Sequence, residues 1–230
     1  MIVARADPPI IELHGIGRRF GSDPPVHALM DVDLQVRRGE WLAIVGPSGS
    51  GKSTLMNILG LLDVATAGVY RLDGIDVAGL SDGERAGLRS RAIGFVFQSF
   101  HLMAHRTVLE NVMLAEVYRK SPRRQRGERA LAALAQVGLS ERANFLPTRL
   151  SGGERQRAAI ARGIMGSPGV LLTDEPTGNL DSKTTAAILE LFADLNRGGL
   201  TIVTITHEPD VAARADRQVR IIDGNLTEVR

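Results

Sequence analysis

The chain has 230 residues, no cysteine, and 28 Lys and Arg against 26 Asp and Glu, a formal net charge of +2. That length suits one domain, or a core with a subdomain, and is enough to bury a large interior. The near balance of charge gives no electrostatic reason for a nucleic-acid partner, and the lack of cysteine excludes disulfides and Cys-ligated metals. No apolar run reaches the roughly 18–20 residues that cross a bilayer. The start, Met1 to Pro9, has no apolar core of a secretory signal. A soluble protein on the cytoplasmic side is the expectation.

From Ile10 to Val36 short apolar segments alternate with turns, which predicts an antiparallel sheet, with Phe20 in a loop of it as a packing residue. Trp41-Leu42-Ala43-Ile44-Val45 is a short apolar strand. After it, Gly46-Pro47-Ser48-Gly49-Ser50-Gly51-Lys52-Ser53 fits G-x-x-x-x-G-K-[ST] in full, and Thr54 to Leu59 has helical spacing. Strand, loop and helix in that order make a phosphate cradle. The glycines let successive N–H groups point at phosphate oxygens, and the helix adds the positive end of its dipole. Lys52 then reaches the β- and γ-phosphates, and the Ser53 hydroxyl is placed to ligate Mg²⁺. Thr54 is counted with the loop as cofactor-binding.

Val69 to Gly74, with its Asp-Gly turn, returns to the antiparallel sheet. Ser81 and Glu84 form a capping box opening a polar helix to about Arg91, and Ile93 to Phe97 is a strand ending abruptly at Gln98. Thr107 and Glu110 make a second capping box, with Val108, Val112, Leu114, Ala115 and Tyr118 as the apolar face behind it. Ser121-Pro122 opens a further helix through Leu131, Leu134 and Val137, stopped at Gly138. The basic cluster Arg119, Lys120, Arg123, Arg124, Arg126 and Arg129 reads as a solvated face, with contact to acidic lipid headgroups as the alternative. Ser151 to Glu154 is a third capping box, leading into a helix through Arg162. Gly169 to Thr173 is a buried strand closed by Asp174-Glu175. Asp181-Ser182 starts a helix stopped at Gly198-Gly199, Thr201 to Thr206 is a strand closed by His207, and Gln218 to Gly224 is a final strand and turn.

Four apolar runs therefore stop at the phosphate loop, Gln98, Asp174-Glu175 and His207, with helices between them. That is an α/β signature with a parallel sheet, whose ligands gather at the carboxyl ends of the strands. Asp174 is the expected second-sphere or direct Mg²⁺ carboxylate. Glu175, free of that role, orients the attacking water and takes up its proton, and His207 fixes that geometry or contacts the γ-phosphate.

Leu150-Ser-Gly-Gly-Glu154, with the phosphate loop, Gln98, Asp174-Glu175, Gly178-Asn179-Leu180-Asp181 and His207, resembles the ATP-binding cassette (ABC) ATPases over nearly the whole chain. Within them, Asn57 to Asp63, Asp174 to Lys183 and Thr206 to Ala213 look like the lipoprotein-release (LolD) and macrolide-exporter (MacB) subgroup. The resemblance implies a P-loop NTPase core of RecA-like fold with an antiparallel β subdomain and an α-helical subdomain at about residues 99–160, in one domain over 1–230. It implies ATP and Mg²⁺ as ligands, and a head-to-tail homodimer around two ATP molecules. In that dimer Ser151, Gly152, Gly153 and Glu154 of one copy meet the phosphate on the other's Lys52. By the same carry-over Gln98 senses Mg²⁺ and couples to a membrane partner, Asp181 links the two sites, and Phe20 stands where a Tyr commonly stacks on adenine. Glu154 stands where the family more often has Gln.

The expected role is energising a separate integral-membrane permease from the cytoplasmic face of the inner membrane, without nucleic acid. The permease is expected to dock on a helical segment just after Gln98, where Phe100, Leu102, Met103 and Val108 make an apolar groove. A cell-division type of ABC ATPase is the alternative. A small-molecule kinase would leave Ser151-Gly152-Gly153 and Asp181 without purpose.

Overall fold

A computed structural model describes residues 8–21, 23–117 and 122–229. Strands β3 (Trp41–Val45), β6 (Ile93–Phe97), β7 (Val170–Asp174), β8 (Thr201–Thr206) and β9 (Arg217–Ile222) run parallel in a six-stranded sheet, with β10 (Asn225–Glu228) antiparallel on the edge. The order is β10-β9-β3-β8-β7-β6. Val45 pairs with Thr206, Asp174 with Ile205 and Phe97 with Asp174, so the strands end level with one another. Successive side chains of a strand face opposite ways. Accordingly Leu42 and Ile44, Val170 and Leu172, and Val203 and Ile205 enter one core, while Trp41, Leu171 and Ile202 enter the other. Burial on both faces is why these strands read as unbroken apolar runs.

The first core lies between this sheet, helix α1 (Lys52–Leu59) and a second, antiparallel sheet. That sheet has the order β2-β1-β4-β5, with β1 Ile11–Phe20, β2 Val26–Val36, β4 Ala67–Leu72 and β5 Ile75–Asp76. Asp73 and Gly74 both take positive φ, 53° and 74°, the pairing a tight hairpin turn requires. Phe20 is not in a loop. It is the last residue of β1, paired with Val26, and it is 42 % exposed rather than packed. The register of β1 against β2 shifts between Arg18 and Arg19, which breaks the two-residue alternation and turns the ring outward.

The second core is helical. It gathers α3 (Val108–Met113), α4 (Arg123–Gln136), α5 (Gly152–Ile164) and α6 (Ser182–Arg197) against the other face of the parallel sheet, with Phe192 edge-on to Trp41 at 6.2 Å. The capping boxes at Ser81, Thr107 and Ser151 all form, the first opening α2 (Asp82–Ala92). Four expectations are corrected. From Gln98 to Thr107 the chain is neither helix nor strand, and Phe100 and His101 take φ of 58° and 49°. Val108 is completely buried core and belongs to no groove. In the basic cluster, Arg129 is bonded to the buried carboxylate of Glu116, so it is a structural ion pair rather than part of a solvated face. Tyr118, Arg119, Lys120 and Ser121 lie outside the described residues. Gln218 to Gly224 is not the last strand, since Asp223 and Gly224 turn the chain into β10. A short helix, α7 (Pro209–Ala212), follows β8. Among the described residues no helix is long and apolar enough to cross a membrane.

Candidate functional site

The loop between β3 and α1 is held by its neighbours before any ligand is considered. A Cβ on Gly46 would sit 2.3 Å from the Ile221 carbonyl oxygen, and one on Gly51, where φ is 107°, would sit 2.5 Å from that of Ala28. Only glycine permits either approach. The Gly224 N–H donates to the Ser50 carbonyl at 3.0 Å and Met30 N–H to the Gly224 carbonyl at 2.9 Å. The β9–β10 turn therefore ties the loop to β2. Lys52 Nζ donates to the carbonyls of Gly46 and Pro47, 2.7 Å each, so its ammonium is curled over the loop. The first-turn N–H groups of α1 have no partner inside the helix and face the same space. A cleft of about 670 Å³ opens there, walled by His27, Gly49, Lys52, Ser53, Thr54, Asp174 and Glu175 among others.

Asp174 ends β7 and Glu175 follows it with φ at 43°. The left-handed turn brings the Glu175 carboxylate back over the end of β8, where Glu175 N–H also donates to the Ile205 carbonyl at 2.9 Å. Oε1 accepts the backbone N–H of His207 at 3.0 Å and lies 2.6 Å from its Nδ1, while Oε2 accepts the Thr206 hydroxyl at 3.2 Å. Glu175 is therefore engaged by the end of β8, with His207 in contact with one of its oxygens. The contact with Glu175 raises the His207 pKa and favours the imidazolium. Burial, then the neighbouring Glu175, pushes the Asp174 carboxyl above its ordinary range, and Lys52 pulls it part of the way back.

A half-dry carboxylate so disfavoured in its charged form suits a cation. The donors the sequence named, the Ser53 hydroxyl, Asp174 carboxylate and Gln98 amide oxygen, are all hard oxygen ligands of the Mg²⁺ kind. Among the described residues no group of three or more His, Cys, Asp or Glu gathers as a cage. Of those donors Ser53 and Asp174 share the cleft while Gln98 is not in its lining, so the two fit an ion whose remaining ligands are water and substrate phosphate.

The other expected residues lie elsewhere. Ser151 caps α5, its hydroxyl accepting Glu154 N–H at 3.2 Å while Glu154 Oε2 accepts Ser151 N–H at 2.9 Å and Oε1 accepts Arg142 Nε at 2.9 Å. Those bonds hold the Glu154 carboxyl below its ordinary range. Ser151, Gly153 and Glu154 line a separate hollow of about 640 Å³, together with Arg157 and Lys183. It shares no lining residue with the Lys52 cleft. Asp181 caps α6, accepting Thr184 N–H at 3.0 Å and the Thr184 hydroxyl at 2.6 Å. Gln98 packs under the loop after β7, its carbonyl accepting Asn179 Nδ2 at 3.0 Å. Phe20 carries the Arg18 guanidinium 4.3 Å from its ring centre and lies outside the cleft lining. Gly152 opens α5 but does not line the second hollow.

Sequence reasoning missed three contributors: Thr206, His27 on the cleft wall, and the Asp223–Gly224 turn. The Asp-Gly pair is a hairpin signal and points to the turn. Nothing local marks Thr206, whose contact with Glu175 spans 31 residues.

The fold and these strand-end residues define a P-loop ATPase of the cassette type. A sequence model of the ABC transporter family matches residues 29–178, and the chain belongs to that family. It is 53 % identical over 201 residues to the ABC transporter ATP-binding protein YvrO of Bacillus subtilis, covering 87 % of this chain and 88 % of that one. It is 49 % identical over 227 residues to the macrolide export ATP-binding/permease protein MacB of Rhodospirillum rubrum, covering 98 % of this chain but only 35 % of that protein. The chain thus spans about a third of the length of the MacB proteins it matches. The dimeric structure of the cassette MJ0796 superposes with a TM-score of 0.85 at 39 % identity, covering 96 % of this chain and 99 % of that one. A second dimeric MJ0796 structure, a post-hydrolysis state bound to ADP and Pi, superposes equally well, with the same TM-score, identity and coverage. The chain is an ABC ATPase, the ATP-binding, energising part of a transporter.

Proposed function

We propose that two copies of this chain close head to tail around two ATP molecules and so drive a membrane-spanning permease of the MacB or LolD kind, for export or lipoprotein extraction. The observation that carries this reading is the split site: the phosphate-binding residues and the Ser151 end of α5 occupy separate hollows that no single copy joins. The N-terminus of α5, with a serine hydroxyl and bare glycine amides, is an anion-binding end that a partner's γ-phosphate would fill. The MJ0796 cassettes, solved as dimers, support the arrangement. That MacB proteins carry ATP-binding and permease functions in one chain supports a membrane partner.

In this reading Lys52 and the loop N–H groups hold the β- and γ-phosphates, and Phe20 stacks on the base. Ser53, Asp174 and Gln98 would hold Mg²⁺, which when bound screens the phosphate charge. Glu175 accepts a hydrogen bond from the attacking water, aligns it with the γ-phosphorus and takes its proton. His207, as imidazolium, holds Glu175 until it turns to the phosphate. Asp181 passes the state of one site to the other.

The permease would seat in a trough of about 800 Å³ beside the loop after Gln98, walled by α2, Phe95, Phe97, His101 and Arg162. Gly83 and Gly87 stand one turn apart on α2, and a Cβ on either would meet nothing within 4 Å. Bare glycines inside a helix cost about 0.5–1 kcal/mol each relative to alanine, and here they leave the trough open for a partner helix. Docking there puts the chain on the cytoplasmic face of the membrane. Gly87→Glu adds a charge to the trough, with open space at its Cβ. It is expected to spare the ATPase activity of the isolated chain and to abolish retention of the permease in pull-downs from detergent-solubilised membranes. A membrane-spanning protein retained equally by wild type and variant, or by neither, would contradict the docking site.

A further inference from the structure

We propose that Thr206 is a positioning residue for hydrolysis: its hydroxyl keeps the Glu175 carboxylate aimed into the nucleotide cleft when His207 turns away. The inference rests on the proposed reading of Glu175 as the group that orients the attacking water and of His207 as a group that turns to the phosphate.

Glu175 lines the cleft and is anchored entirely from the end of β8. Its anchors differ in mobility. The His207 side chain is 69 % exposed, so little packing holds the ring where it is. Thr206 is fully buried and β-branched, and a β-branched side chain in a strand has few alternatives at χ1. The direction of its proton is also set. A hydroxyl donates once, and the Thr206 oxygen already accepts the N–H of Glu208 at 3.0 Å, which leaves its hydrogen for Glu175 Oε2 at 3.2 Å. Glu208 is in turn held by the Thr177 hydroxyl at 3.2 Å, and Thr177 is itself buried. The hydroxyl thus belongs to a chain of fixed groups, Thr177 to Glu208 to Thr206 to Glu175, that does not include the His207 ring.

When the ring leaves, Oε1 loses its Nδ1 contact and gains a free lone pair for water, keeping only the His207 backbone N–H. Without the Thr206 hydroxyl the carboxylate would then pivot on that single bond. A group misaligned by a rotation of this kind loses much of its effect on rate, because in-line attack depends on direction as well as distance.

The test uses the purified full chain and steady-state Mg-ATP hydrolysis, with thermal unfolding recorded for every variant. Thr206→Val keeps the branched shape and removes the hydroxyl, and Thr206→Ser keeps the hydroxyl. Thr206→Val is expected to lower kcat by roughly 10-fold, the usual share of one hydrogen bond to a charged group, with KM within about twofold of wild type. Thr206→Ser is expected to restore most of kcat. Thr206→Ala, smaller and also without the hydroxyl, is expected to match Thr206→Val. In the Glu175→Gln background Thr206→Val is expected to cause no further loss, because the two residues act as a unit. Wild-type kcat in Thr206→Val, an equal loss in Thr206→Ser, or a loss confined to KM would overturn the proposal. Glu175→Gln alone separates the two levels: if it is inactive while Thr206→Val is fully active, only the positioning role fails. Normal turnover in Glu175→Gln would overturn the parent reading and this inference together.

Discussion

Glu175→Gln is expected to bind ATP and to lose steady-state turnover by at least about a hundredfold, the usual share of general-base catalysis. An amide at this position keeps one oxygen to accept from the Thr206 hydroxyl, while its NH2 group faces the His207 backbone N–H and loses that bond, so the side chain keeps its size and part of its anchoring. What it cannot do is take a proton from water as the bond to phosphorus forms. Removing a negative charge beside the phosphates also relieves repulsion, and ATP affinity is expected to be equal to or above that of wild type. The comparison is kcat of the two purified proteins with Mg-ATP, alongside nucleotide affinity by calorimetry. Near-normal kcat in the variant would remove Glu175 from the chemistry.

Lys52→Ala is expected to lose at least about a hundredfold in ATP affinity, because in the proposed binding mode the ammonium would make charge-assisted bonds to two phosphates, each contributing roughly 1.5–3 kcal/mol. In the structure two of its hydrogens go to the Gly46 and Pro47 carbonyls, on the partly buried to exposed rim of the loop. Those carbonyls can turn to water when the side chain is removed, so folding stability is expected to change little. The loop itself is shaped by Gly46, Gly51 and the Gly224 turn rather than by Lys52. Calorimetric titration with Mg-ATP, beside thermal unfolding of both proteins, separates the two effects. Tight ATP binding by a folded Lys52→Ala would contradict the phosphate assignment.

Much of this organisation is written locally in the sequence. The parallel strands are legible because both faces are buried, and the three capping boxes because each is closed within four residues. The level ends of β3, β6, β7 and β8 follow from that reading and from the parallel-sheet rule, and they place Lys52, Asp174 and Glu175 on one edge. The losses have physical causes. Strand β10 is polar and largely exposed, so it carries no apolar alternation to read. The stretch after Gln98 has enough apolar residues to suggest a helix, but Phe100 and His101 sit in the left-handed region, where Arg162 of α5 bonds both their carbonyls. Phe20 reads as a packing residue because a bulge in register is invisible in a single strand. The engagement of Glu175 by Thr206 and His207 depends on the pairing of β7 with β8 and on a positive φ at Glu175, neither of which is a local signal.

In the proposed dimer ATP itself would be the link between the Lys52 cleft of one copy and the Ser151 hollow of another. Closure would draw two docked permease subunits together, and hydrolysis would release them, because the contacts differ between the two states. Size-exclusion chromatography with light scattering on purified Glu175→Gln, run with Mg-ATP, with Mg-ADP and without nucleotide, reads this directly. A dimer in ATP and a monomer in the other two conditions is the predicted result. A monomer in saturating Mg-ATP, or a dimer equally stable in ADP, would contradict it.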